Sequence, residues 1–81
     1  MAKAQPVSSV AAQEVPAKER IRAAALELFA TRGVDAAPLR AVATSAGVTV
    51  GLIVHHYGTK EALREAVEIG IVERFEKAIA S

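Results

Sequence analysis

At 81 residues the chain is one small domain, of a size that buries only about 60% of its unfolded surface and does not wall off a large ligand cavity. Ten Lys and Arg against nine Asp and Glu give a formal net charge of +1, so the chain as a whole is neither a polybasic nor an acidic tail. The absence of cysteine excludes disulfide frameworks, thiolate zinc sites and cysteine nucleophiles; with no apolar run near the roughly 18 residues of a membrane span and no signal-peptide centre, the reading is a soluble, cytoplasmic protein.

The first stretch, MAKAQPVSSVAAQEV, mixes Pro, Ser, Gln and Ala without a sustained period. It cannot bury enough apolar surface to offset the entropy of ordering, so residues 1–15 are expected to be a disordered arm. Lys3 is its only basic residue, a poor basis for tracking a nucleic-acid groove. The folded domain is expected over residues 16–81.

From Pro16 the pattern becomes helical. Proline is tolerated at a first helical position, where its missing N–H costs little. Ile21, Ala24, Ala25, Leu28 and Phe29 recur at the spacing of one helix face, and Gly33 offers a stop after Arg32. Pro38 opens a second helix, in which Leu39, Val42, Ala43 and Ala46 form a shorter stripe ending at Gly47. Thr49 is placed to cap a third helix by accepting an N–H from Gly51 or Leu52. Gly58 closes that helix and Thr59 caps a fourth, with Glu61 near its positive end. Along the fourth helix Leu63, Ala66, Val67, Gly70, Ile71, Phe75 and Ile79 make a stripe that runs almost to Ser81. The fold class is all-α, a small helical bundle.

The second and third helices are short, and only Gly47, Val48 and Thr49 separate them. A turn of that length with a glycine in it sets two helices at a steep angle, which predicts a helix-turn-helix whose second member lies in the major groove of DNA. On this reading Ile53 and Tyr57 face inward. Val50, Gly51, Val54, His55 and His56 lie on or near the outer side.

AGVTVGLIVHHYGTKEAL, residues 46–63, resembles the recognition-helix signature of TetR-type transcriptional repressors, approximately Ala-Gly-Val-Ser-x-Gly-x-Leu-Tyr-x-His-Phe-x-Ser-Lys-Glu-x-Leu. RIRAAALELFATRGVDAAPLRAVATSAGV is similar to that family's first two helices. The resemblance runs without a gap from about Lys18 to Leu63. It implies that Thr49 caps the recognition helix and touches phosphate, and that Val50, Gly51 and Leu52 form its groove-facing start. His55 and His56 match positions that reach the backbone or the bases. Lys60 matches the lysine after the turn, where ammonium and helix dipole together attract a phosphate, and Arg40 matches a position that in some members reaches a base.

The departures from the pattern also carry meaning. Val54, still on the DNA side, stands where the family usually has a phosphate-bonding tyrosine. Ala37 and Pro38 replace the Thr-Thr or Thr-Ser pair that caps the second helix. At about 1 kcal/mol for each lost hydrogen bond, these changes should weaken the contacts that position the protein on DNA. The third helix contains no Arg, Lys, Asn or Gln, the main bidentate readers of base edges. Direct readout is therefore expected to be modest, with Arg40 the best candidate for a guanine contact, Val50 and Leu52 able to meet a thymine methyl, and DNA shape supplying much of the rest. Between residues 37 and 64 Arg40, Lys60 and Arg64 stand against Glu61, whereas beyond Arg64 four glutamates oppose Arg74 and Lys77.

Adjacent histidines point about 100° apart on a helix, whereas a metal pair needs i, i+3 or i, i+4 spacing, so no metal, cofactor or catalytic residue is expected. Arg20, Arg22 and Arg32 read as a solvated face. Gly70 marks either a close helix–helix approach or a tolerated glycine. The expected function is sequence-specific binding of double-stranded DNA as a repressor at a palindromic operator. The resemblance further implies a C-terminal domain, not contained in residues 1–81, that forms the homodimer and binds a small-molecule inducer. The alternative is a small helical protein-interaction module without DNA binding; an enzyme is the remaining class, and no triad or acid–base pair points to one.

Overall fold

The computed structural model describes residues 15–80, so the expected arm over residues 1–15 falls outside the described residues except for Val15. Among the described residues four helices follow one another: α1 (Ala17–Arg32), α2 (Leu39–Ala46), α3 (Val50–Tyr57) and α4 (Lys60–Ala80). Each supplies one large aliphatic side chain that is fully buried, namely Ile21, Val42, Ile53 and Leu63. Ala24, Ala25, Ala43 and Val67 complete this core, and Leu28, Phe29, Leu39 and Val48 pack against its edge. The small alanines matter because they let α2 lie close to α1 without leaving voids.

Each helix begins where its sequence provides acceptors for the unpaired N–H groups of a first turn. The Pro16 carbonyl accepts from Glu19 and Arg20, at 2.9 and 3.0 Å, and the Pro38 carbonyl accepts from Ala41 and Val42, at 2.9 and 3.2 Å. Neither proline offers a side-chain cap. Ala37, standing where a hydroxyl residue is usual, is fully buried, and its own N–H donates to the Val34 carbonyl. Thr49 and Thr59 cap through their hydroxyls: Leu52 N–H donates to Thr49 Oγ1 at 3.1 Å, and Ala62 N–H donates to Thr59 Oγ1 at 3.0 Å. Replacing Thr49 by alanine removes such a cap and should cost about 0.5–2 kcal/mol. Urea unfolding would read that loss, and a midpoint unchanged from the parent would show the cap to be dispensable.

The α2–α3 turn is set by Gly47, which adopts φ 73°, ψ 34° in the left-handed region. Its N–H reaches the Thr44 carbonyl and the Val48 N–H reaches the Ala43 carbonyl, at 3.3 and 3.0 Å. This paired closure is the Schellman arrangement, and it turns the half-buried Val48 back onto the core.

Two expectations need correction. Arg20 is half-buried rather than solvated: its Nε donates to the Ala46 carbonyl at 3.4 Å and its Nη1 donates to the Val15 carbonyl at 3.0 Å, linking α1 to the end of α2. Arg22 is half-buried too, pairing with Glu19, and its guanidinium lies where a side chain on Gly70 would stand. A Cβ at Gly70 would be 2.8 Å from Arg22 Nη1, so this glycine leaves room for the Arg22 guanidinium of α1 against α4. Tyr57, expected to face inward, is half-buried and packs against the core.

Beyond Val67 the α4 stripe loses its cover. Ile71, Phe75 and Ile79 are 47, 65 and 68% exposed.

Candidate nucleic-acid interface

The exposed side of α3 follows from the burial of Ile53. With about 100° between successive residues, fixing Ile53 in the core turns Gly51, Val54 and His55 away from it; these three are exposed, as is Val50 at the first turn. Leu52 and His56 lie at the flanks and are half-buried. Thr49 is exposed at the head of the helix, its hydroxyl already accepting from Leu52; its hydrogen remains to be donated. Gly51 presents bare backbone: among the described residues, apart from its chain neighbours and the backbone of its own helix, a Cβ built there would meet only Thr49 Oγ1, at 3.8 Å. The imidazoles of His55 and His56 meet edge to face, with centroids 5.1 Å apart and planes at 72°.

Arg40 is exposed on the first turn of α2, and Lys60, half-buried, opens α4. Among the described residues neither is ion-paired. Arg64, counted with them by sequence position, is spent differently: it pairs with Glu61 and with Glu68 along α4. Its hydrogen bond and its charge hold the Glu61 carboxyl below the usual range, so Glu61 serves Arg64 as well as the helix terminus. The free positive charge near α3 therefore rests on fewer groups than the sequence count suggests.

None of Arg40, Thr49, Val50, Gly51, Leu52, Val54, His55, His56 and Lys60 is buried. The turn and the caps hold them on short rigid elements, with α3 offering an apolar strip of Val50 and Val54 beside two imidazoles. Among the described residues no group of three or more His, Cys, Asp or Glu side chains could hold a metal ion, and no helix is long and apolar enough to cross a membrane.

One connection was not legible beforehand. Tyr57, the last residue of α3, donates its hydroxyl to the Lys18 carbonyl on α1 at 2.7 Å, and the Lys18 ammonium stands 5.8 Å from the centre of the same ring. Burial raises the Tyr57 phenol above its ordinary value, an effect that Arg22 opposes and Glu19 adds to, so the hydroxyl stays protonated and able to donate. A tyrosine where the family signature has phenylalanine was the available signal.

Residues 21–67 match the family described as bacterial regulatory proteins, tetR family. Over 68 residues the chain is 40% identical to the HTH-type transcriptional regulatory protein RaaS of Mycobacterium tuberculosis, covering 84% of this chain and 32% of that protein. Over 65 residues it is 35% identical to the HTH-type transcriptional regulator UidR of Escherichia coli, covering 80% of this chain and 32% of that protein; the UidR of Shigella flexneri gives the same figures. The chain thus spans about a third of the length of the curated relatives it matches. No solved structure gives a significant match. The matched segment runs from the first buried residue of α1 to the last buried residue of α4, so it contains the whole core that holds the α2–α3 turn in place, and the chain belongs to the tetR family of bacterial regulatory proteins.

Proposed function

We propose that residues 16–81 form the DNA-binding domain of a cytoplasmic transcriptional repressor, with α3 lying in the major groove of double-stranded DNA. The observation that carries this reading is the exposed face of α3, held at its head by the Thr49 cap and at its rear by Ile53, with Arg40 and Lys60 on the adjoining helices and not ion-paired among the described residues. The major groove is about 12 Å wide and admits one helix. Thr49 and Lys60 would hold phosphates, Arg40 would meet a guanine edge, Val50 and Leu52 would meet thymine methyls, and Gly51 would allow close approach. His55 and His56 would each donate a hydrogen bond to backbone or base, and Val54 would contribute apolar contact only. Two such domains, brought together by a homodimerising C-terminal domain outside these residues, would read half-sites about 34–36 Å apart in a palindromic operator. A small-molecule inducer bound by that domain would shift the pair between binding and non-binding spacings.

The test is fluorescence anisotropy of a labelled duplex with the chain, at several salt concentrations. Affinity should fall steeply with salt, and Lys60→Ala should lower the slope of log K against log salt by about 0.9. Arg40→Ala should cost about 1–3 kcal/mol on a duplex carrying the guanine it reads and much less elsewhere. A second reading, a helical interaction module, is favoured by the exposed Ile71, Phe75 and Ile79. That module would show no salt-dependent affinity for DNA.

A further inference from the structure

We infer that Lys18 is a further phosphate-binding residue at the edge of the α3 face, and that Tyr57 positions it there. The inference rests on the DNA-binding reading above and adds a residue from α1 to it.

The location follows from helix geometry. Taking Ile53 as the inward direction of α3, Tyr57 lies about 40° from it and about 60° from Val54. Ile53 is buried and Val54 is 46% exposed, so the Tyr57 ring stands on the seam between the buried and the exposed sides. Lys18 is attached to that ring at two points. Its carbonyl accepts the phenolic hydrogen at 2.7 Å, and its ammonium lies 5.8 Å from the ring centre. The two residues are 39 apart in sequence, and the contact brings the first turn of α1 beside the last turn of α3.

The partner's chemistry decides what the lysine is left able to do. A carboxylate would neutralise the ammonium, whereas an aromatic ring attracts it through its quadrupole and leaves the full charge in place. Neighbouring cations on α1 are used otherwise: Arg22 is paired with Glu19, and Arg20 donates to two carbonyl oxygens. Lys18 is exposed and not ion-paired among the described residues. A lysine in the first turn also opposes the dipole of its own helix. Local helix stability therefore does not account for its position, whereas an anion at the rim of α3 would meet both the ammonium and the positive end of α1. Lysine suits a phosphate as a compact point charge.

The competing reading is that Lys18 and Tyr57 merely fasten α1 to α3. Anisotropy titrations against one duplex over a salt series separate the two, using the unchanged chain, Lys18→Gln, Lys18→Arg, Tyr57→Phe, the Lys18→Gln/Tyr57→Phe double variant, and Lys60→Ala. A phosphate contact predicts that Lys18→Gln lowers the salt slope by about 0.9 and that Lys18→Arg restores it. Positioning by the hydroxyl predicts that Tyr57→Phe weakens binding when Lys18 is present and has no effect once Lys18 is glutamine. An unchanged slope in Lys18→Gln, alongside a lowered slope in Lys60→Ala, would overturn the role of Lys18 and leave the DNA-binding reading standing. Equal losses from Tyr57→Phe in both backgrounds would overturn the positioning role. Absence of salt-dependent binding by the unchanged chain would overturn both this inference and the reading beneath it.

Discussion

Replacing Ile53 by alanine should cost about 2–5 kcal/mol of folding stability, the range for truncating a buried isoleucine that leaves a cavity. Ile53 is only 1% exposed and is the sole buried residue of α3. Its side chain is consequently the main apolar anchor of that helix against Ile21, Val42 and Leu63. A domain of this size is stable by about 0.05–0.15 kcal/mol per residue, so the loss is comparable with the whole. The variant should be largely unfolded, or should unfold at a much lower urea concentration. Val54→Ala, one residue on, removes surface from a 46% exposed side chain and should stay within about 0.5 kcal/mol of the parent. Equal midpoints for the two variants would contradict the assignment of the inward face of α3 and, with it, of the outward face.

The second large effect belongs to Gly58. Its φ of 85° with ψ of −62° lies outside the ordinary left-handed helical well, close to the strained γ-turn conformation. An L-residue with a Cβ should cost about 1–3 kcal/mol there. Among the described residues no atom beyond Gly58 and its chain neighbours lies within 4 Å of a Cβ built there, so the penalty is conformational. The Gly58 N–H donates to the Val54 carbonyl at 2.8 Å, and the strain would therefore act on the end of α3 and on the direction in which Thr59 and Lys60 start α4. Gly51→Ala is the matched control, because Gly51 has no positive φ and space for a methyl group. In a helix that change should gain about 0.5–1 kcal/mol. Thermal or urea unfolding should thus give opposite signs for the same chemical substitution, and a destabilisation shared by both would contradict the backbone assignment.

Most of the fold was legible because its signals are local. Ile21, Ala24 and Ala25 on α1, Val42 and Ala43 on α2, and Leu63 and Val67 on α4 fall at helical spacing, and all are buried. Thr49 and Thr59 sit immediately before apolar helices, where a hydroxyl has an unpaired N–H within reach, and both cap. The exposure of Gly51, Val54 and His55 follows from the burial of Ile53. What escaped sequence reading are contacts without a period. The reach of Arg20 to Ala46 joins residues 26 apart, and that of Tyr57 to Lys18 joins residues 39 apart; neither leaves a spacing rule behind. Arg64, counted among the positive charges near α3, is paired for a reason the count did not carry. Counting charge over residues 37–64 set Glu61 against the three cations together, whereas Glu61 engages Arg64 itself and Glu68, beyond that interval, engages it from four positions on.

The measurement that bears most directly on function is an amide chemical-shift titration of the isotope-labelled chain with a short duplex at low salt. Binding through α3 should move the resonances of residues 49–56, with Arg40 and Lys60, and leave those of Ile71, Phe75 and Ile79 in place. Shifts gathered along the exposed side of α4, or none anywhere in a folded chain, would contradict the placement of α3 in the groove.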